Sequence, residues 1–161
     1  MIGNDVVDLT VAKSQSNWKR TGYLDKIFTS SEQDFIFSSN NQEAMIWSLW
    51  SRKEAVYKIL IQNGVRSGYY PLQIECLDID YENGYVIFEN YKFKTKTTVI
   101  NDLIHSVAIE SYENFEKIIY LKNGNSLKKI NGIPFYELNS KLYAASKSHH
   151  GKYEQVVYLQ S

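Results

Sequence analysis

The chain has 161 residues, 43% of them hydrophobic, which is enough for one compact domain with a real core and no need of disulfides or a structural metal. Its 18 basic and 18 acidic residues cancel, so no overall field steers it to nucleic acid, and no apolar run approaches a membrane span. The single cysteine, Cys76, excludes an internal disulfide framework and fits a reducing compartment. The acidic start Met1-Ile2-Gly3-Asn4-Asp5 is unlike a signal peptide, so the cytoplasm is the expected location. The thirteen tyrosines read as half-buried strand positions rather than platforms for stacked bases.

In chain order, Ile2 to Leu9 reads as a short strand with two aspartates inside it. A polar, helical stretch follows from Ser16 to Phe37, interrupted by Thr29-Ser30-Ser31-Glu32. That run is a capping box, with Thr29 as N-cap and Glu32 reaching back to its backbone. A stronger helix runs from about Glu43 to Gln62 and ends at Asn63-Gly64. After Pro71 the apolar period changes toward two, giving strands near 72–76, 85–88, 91–96, 104–109, 118–121 and 153–159. Asn83-Gly84 supplies hairpin turn chemistry, and 122–125 and 131–134 read as further turns. No linker, low-complexity tract or internal repeat is evident. Helices first and strands after predict an α+β fold with helices packed on an antiparallel sheet.

On a helical wheel, Ile46, Leu49, Trp50, Val56, Tyr57, Leu60 and Ile61 share one face of the long helix, and Lys53 falls in its middle. An ammonium there is costly unless it is paired or its tip reaches a cavity. Glu54 and Lys58 lie one turn apart at the edge of the same face. The residues alone leave two readings: a snorkelling lysine beside a surface Glu–Lys pair, or polar groups that meet a ligand.

The run Trp50-Ser51-Arg52-Lys53-Glu54-Ala55-Val56-Tyr57-Lys58 has the form W-x-x-K-E-A-x-x-K. Together with Gly3-Asn4-Asp5-Val6-Val7-Asp8, Phe28-Thr29-Ser30-Ser31-Glu32, Asn131-Gly132-Ile133-Pro134 and Ser146-Lys147-Ser148-His149, it resembles the 4'-phosphopantetheinyl transferase superfamily. The match is to its single-module, holo-acyl-carrier-protein synthase type. The elements come in the family's order over residues 3 to 153. Single-module relatives are shorter, so 1–161 is expected to be one domain with a strand-rich insertion at about 72–121.

The resemblance implies transfer of 4'-phosphopantetheine from coenzyme A to a serine of an apo acyl or peptidyl carrier protein, with release of 3',5'-ADP. It implies Mg²⁺ on the carboxylates of Asp5 and Glu54, catalytic roles for Glu54 and Lys58, and coenzyme A contacts from Lys53, Lys58, Ser148 and His149. Phosphoryl transfer needs such a set: a divalent cation, further positive charge and a base near the hydroxyl. Asp8 is either a supporting residue or simply exposed, and His105 is a rival to His149 for the family histidine. The basic residue that relatives place six positions after the metal aspartate is replaced by Val11, with Lys19, Arg20 and Lys26 nearby as substitutes. Relatives of one module form trimers, so a homo-oligomer is implied, while the insertion could equally leave a monomer. A non-catalytic coenzyme A-binding or scaffold module of the same fold is the alternative function; a nucleic-acid binder is remote at zero net charge.

Overall fold

The computed structural model describes residues 1–124 and 126–160. The N-terminal strand β1 (Ile2–Asp8) leads into α1 (Leu9–Gln15), α2 (Tyr23–Ile27), α3 (Ser30–Ser38) and the long α4 (Gln42–Gln62). Strands β2 (Glu75–Leu77), β3 (Asn83–Phe88), β4 (Tyr91–Ile100) and β5 (Leu103–Glu110) follow. With β1 they form an antiparallel sheet in the order β1-β5-β4-β3-β2. A second antiparallel sheet contains β6 (Ile118–Leu121), β7 (Leu127–Ile130), β8 (Ile133–Leu138), β9 (Lys141–His150) and β10 (Tyr153–Leu159), in the order β6-β10-β9-β8-β7. The α+β architecture expected from the sequence is present.

The capping box at Thr29 forms as read: its hydroxyl accepts from Glu32 N and the Glu32 carboxylate accepts from Thr29 N. The preceding stretch, read as helical from Ser16, carries only the short α2, which starts after Gly22 at φ 79°; α1 lies ahead of it and ends at Ser16. Asn83-Gly84 is not the hairpin turn. It begins β3, and the chain reverses just before it, where Asp80 accepts from the backbone of Glu82 and Asn83. A side chain at Gly84 would collide with Ile79 and the Arg52 guanidinium, so close approach is the reason for that glycine. Asn131-Gly132, by contrast, is a two-residue turn between β7 and β8 with both φ angles positive, the geometry that hairpin twist demands.

Within 72–121, read from the sequence as an insertion, 118–121 supplies β6 of the second sheet, and residues 75–110 supply four strands of the first, with β5 pairing along all of β1. The main core lies between this sheet and α4, around Ile46, Leu49, Val56, Ile59 and Leu60 of the helix and Val86, Phe93 and Ile104 of the strands. A smaller apolar cluster joins the two sheets: Ile2, Val107 and Ile109 from one, Ile118, Val157 and Leu159 from the other.

The two sheets repeat one design. The strands β3, β4 and β5 begin at Asn83, Tyr91 and Leu103; β8, β9 and β10 begin at Ile133, Lys141 and Tyr153, a constant spacing of 50 residues. Their registers correspond, Phe88↔Tyr91 to Leu138↔Lys141 and Ile100↔Leu103 to His150↔Tyr153. The outer strand corresponds as well: Ile2 pairs with Ile109 as Ile118 pairs with Leu159, so β6 stands to β10 as β1 stands to β5. Between 83–109 and 133–159 only Val107 and Val157 are identical, which is why no repeat is visible in the sequence.

Candidate active site

The sequence of β1 alternates two jobs. Gly3, Asp5 and Val7 face α4, and Gly3 lets the helix come close, since a Cβ there would lie 1.9 Å from Ala55 O. No residue but glycine fits. The helix therefore lies directly on the strand, and Asp5 is brought beside Glu54 and Lys58. Three buried hydroxyls fix the same helix to the sheet: the Ser51 and Ser106 hydroxyls are bonded to each other, and Ser106 to Thr97 Oγ1 at 2.7 Å.

Lys58 turns away from Glu54 and toward β1. Its ammonium donates to Asn4 O at 2.6 Å and lies 3.4 Å from Asp5 Oδ1. Ser148 on β9 donates its hydroxyl to the same Asp5 oxygen at 3.0 Å while accepting from Val6 N at 3.2 Å. Both contacts fall on Oδ1, and Oδ2 has no hydrogen bond among the described residues. The Glu54 carboxylate likewise has none there. Burial pushes the Asp5 carboxyl up, against the opposing pull of Lys58 and Ser148. Burial also raises Glu54, and the charge of Asp5 raises it further. Two carboxylates held close in a partly dry cleft, each with unused oxygen lone pairs, suit a hard cation completed by waters and phosphate oxygens. Among the described residues no cluster of three or more His, Cys, Asp or Glu side chains could hold a metal by itself.

Asp5 and Glu54 line a cleft of about 270 Å³ together with Trp47, Trp50 and His150. A second, much larger cleft of about 1110 Å³ is lined by Lys58, Lys129, Lys147, Tyr57 and Pro134. His149 borders both. Asp5 and Glu54 thus line a small acidic, aromatic cleft, Lys58 a broad lysine-rich one, and His149 belongs to both linings.

Lys53 is not in this group. It is buried, and its ammonium meets Glu32 Oε2 at 2.6 Å, Ile27 O at 2.9 Å and Pro71 O at 2.5 Å. All three donors are used within the chain, and the lysine on an apolar helix face is paired with Glu32. The capping-box glutamate is its counter-ion, with Oε1 taken by Cys76 N. Asp8 is also committed: Oδ1 accepts from Thr10 N and Val11 N as the N-cap of α1, and Oδ2 accepts from Lys152 N. It is buried, so it neither faces water nor offers a free oxygen to a metal. His105 is buried between the sheets against Asn4 and Tyr120 and lines neither cleft.

Sequence reasoning missed Ser146 and His150. Asn4 N, Val6 N and Asp8 N, on the side of β1 away from β5, donate to Ser146 Oγ, Ser148 Oγ and His150 Nδ1 at 3.0, 3.2 and 2.9 Å. An edge strand is thereby closed by side chains spaced two apart, as a strand period requires. Acceptance at Nδ1 places the neutral proton of His150 on Nε2. The signal was present as Ser-x-Ser-x-His, which carries polar groups at every second position of a strand.

The sequence pattern of the 4'-phosphopantetheinyl transferase superfamily matches residues 1–111, and the chain belongs to that superfamily as an enzyme of the phosphopantetheinyl transferase class. Among solved structures, Helicobacter pylori holo-acyl-carrier-protein synthase, determined in complex with coenzyme A, is similar at 16% identity and a TM-score of 0.55 over 69% of this chain and 100% of that one. Thermotoga maritima holo-acyl-carrier-protein synthase is similar at 12% identity and a TM-score of 0.53, covering 99% of this chain and 83% of the other. At these identities the likeness speaks for the fold. No curated protein sequence gives a significant match. No helix among the described residues is long and apolar enough to cross a membrane.

Proposed function

We propose that the chain moves 4'-phosphopantetheine from coenzyme A to a serine of an apo acyl or peptidyl carrier protein in a Mg²⁺-dependent reaction. The observation that carries this is the meeting of Asp5, Glu54, Lys58 and Ser148, from three distant segments, beside two clefts that share His149 in their linings. Asp5 and Glu54 would hold Mg²⁺, which when bound neutralises diphosphate charge and polarises the phosphorus. Lys58 adds a fixed positive charge at the same place, and its bond to Asn4 O holds it there. Ser148 donates to Asp5, and His149, which lines both clefts, would contact the nucleotide portion. The lysine-rich cleft suits the phosphates of coenzyme A. The small cleft offers an approach for the carrier serine.

In the transfer step the serine oxygen bonds to the β-phosphorus and the bond from that phosphorus to the 3',5'-ADP oxygen breaks. The serine proton passes to Glu54, whose raised affinity for a proton suits a base. Incubation with Mg²⁺, coenzyme A and a panel of apo carriers, read by intact mass, tests the reading. A gain of the phosphopantetheine mass is expected with wild type and is lost with Glu54→Ala; no transfer and no coenzyme A binding by wild type would overturn it.

A further inference from the structure

We propose that the groove between residues 18–22 and α3 is a docking surface for an acidic, amphipathic helix of the protein that presents the acceptor serine. It rests on the transferase reading. The groove, about 320 Å³ in volume, is lined by Trp18, Leu24 and Phe37 together with Lys19, Arg20 and Asp25. Its apolar wall is left to solvent: Phe37 is 58% exposed, although the neighbouring Ile36 of the same helix is wholly buried. An aromatic ring standing outside the core beside a cleft is what the apolar face of a partner would cover.

Charge identifies the occupant. Residues 13–26 hold four of the 18 basic residues, Lys13, Lys19, Arg20 and Lys26, but only one of the 18 acidic ones, Asp25. A chain without net charge therefore carries a local positive excess at this groove. None of the four cations has an ion pair among the described residues. The Lys19 ammonium lies over the Trp18 ring, 5.4 Å from its centroid, so cation and aromatic present one surface. Asp25, by contrast, is occupied: its Oδ1 accepts from Gln33 Nε2, which also donates to Phe28 O. Unpaired cations beside an apolar wall fit a helix whose carboxylates flank an apolar stripe. The groove also adjoins the site. Gln15 and Ser16 line the small cleft with Asp5 and Glu54, and Trp18 to Arg20 line the groove directly after them. Trp18 is two residues past Ser16, at most about 7 Å along the chain, so a partner seated on it lies beside the cleft proposed for the serine. The concave shape favours a protein helix over a lipid surface, which takes up apolar side chains that protrude.

The test is steady-state transfer to an apo carrier that wild type modifies, with carrier and coenzyme A varied separately. Lys19→Glu/Arg20→Glu is expected to raise the KM for the carrier about tenfold or more, with kcat and the KM for coenzyme A as in wild type. Phe37→Ser should raise the carrier KM in the same selective way. Added salt should raise the carrier KM of wild type and scarcely move that of the charge-reversed variant. A change of acid to lysine on the carrier's helix should restore much of what the reversal lost. All three positions are exposed, and the melting temperature with coenzyme A calorimetry reports whether the variants fold. An unchanged carrier KM overturns the proposal, as does a joint rise in both KM values or a fall in kcat alone. Capture of wild type, but not of the reversed variant, by phosphatidylcholine vesicles containing phosphatidylserine, with the carrier KM unchanged, would assign the groove to a membrane instead. Failure of wild type to transfer to any carrier is a separate result, which removes the transferase reading and this proposal with it.

Discussion

Asp5 is a residue whose environment works against its charge. Burial raises its carboxyl, and the contacts from Lys58 and Ser148 offset only part of that effect. A position optimised for stability would not keep such a group; one that awaits a cation would. Asp5→Asn retains the Oδ1 acceptor for Ser148 and Lys58 while removing the charge. It is expected to abolish Mg²⁺ binding by calorimetry and transfer with it, yet to lower the melting temperature by no more than ~3 °C, the shift of about 1 kcal/mol in a chain of this size. A large loss of stability would instead mark Asp5 as a structural ion-pair partner. The same raised affinities predict that Mg²⁺ binding to wild type weakens as pH falls, because protons compete at both Asp5 and Glu54.

At the scale of elements, the Lys53–Glu32 pair ties α4 to the start of α3 and to the segment ending at Pro71. Breaking a buried pair by removing one partner strands the other, at a cost of about 3–5 kcal/mol. Lys53→Ala should therefore lower the denaturant midpoint strongly, and Glu32→Gln in that background should restore part of it by removing the uncompensated charge. Unchanged stability with weakened coenzyme A binding would return Lys53 to the ligand site. The helix pattern at 46–61 correctly placed the lysine among apolar neighbours but could not name its partner, because Glu32 reaches it only through the fold. Local signals were legible in the same way: the capping box, the long helix and the Asn131-Gly132 turn follow from short-range chemistry. What was hidden depended on long-range pairing. Asn83-Gly84 carries turn residues but is claimed by the close approach of Arg52. The repeat is carried by register and spacing, with almost no shared residues.

At the scale of the molecule, the two sheets meet across a polar contact as well as an apolar one. His105 on β5 faces the second sheet, takes a hydrogen bond at Nε2 from Asn4 Nδ2 (3.1 Å) and packs edge-on against Tyr120 of β6. Burial, with a lesser contribution from the charge of Lys58, pulls its pKa down to about 4 from an ordinary 6.5. The native state thus holds His105 neutral, and the unfolded chain binds its proton first. Stability from this residue is complete above pH 6.5, is lost progressively as pH falls toward 4, and levels off below that; a shift of this size corresponds to about 3 kcal/mol. Asp5 and Glu54, whose affinities are raised, act in the opposite sense and gain stability as they protonate. The difference between wild type and His105→Gln therefore isolates the histidine. Urea unfolding at pH 7, 6, 5 and 4 should show the wild type losing its stability relative to the variant across that range. A constant difference would mean that His105 charges without disturbing the seam between the sheets, and that the seam is held by Ile2, Ile109, Val157 and Leu159 alone.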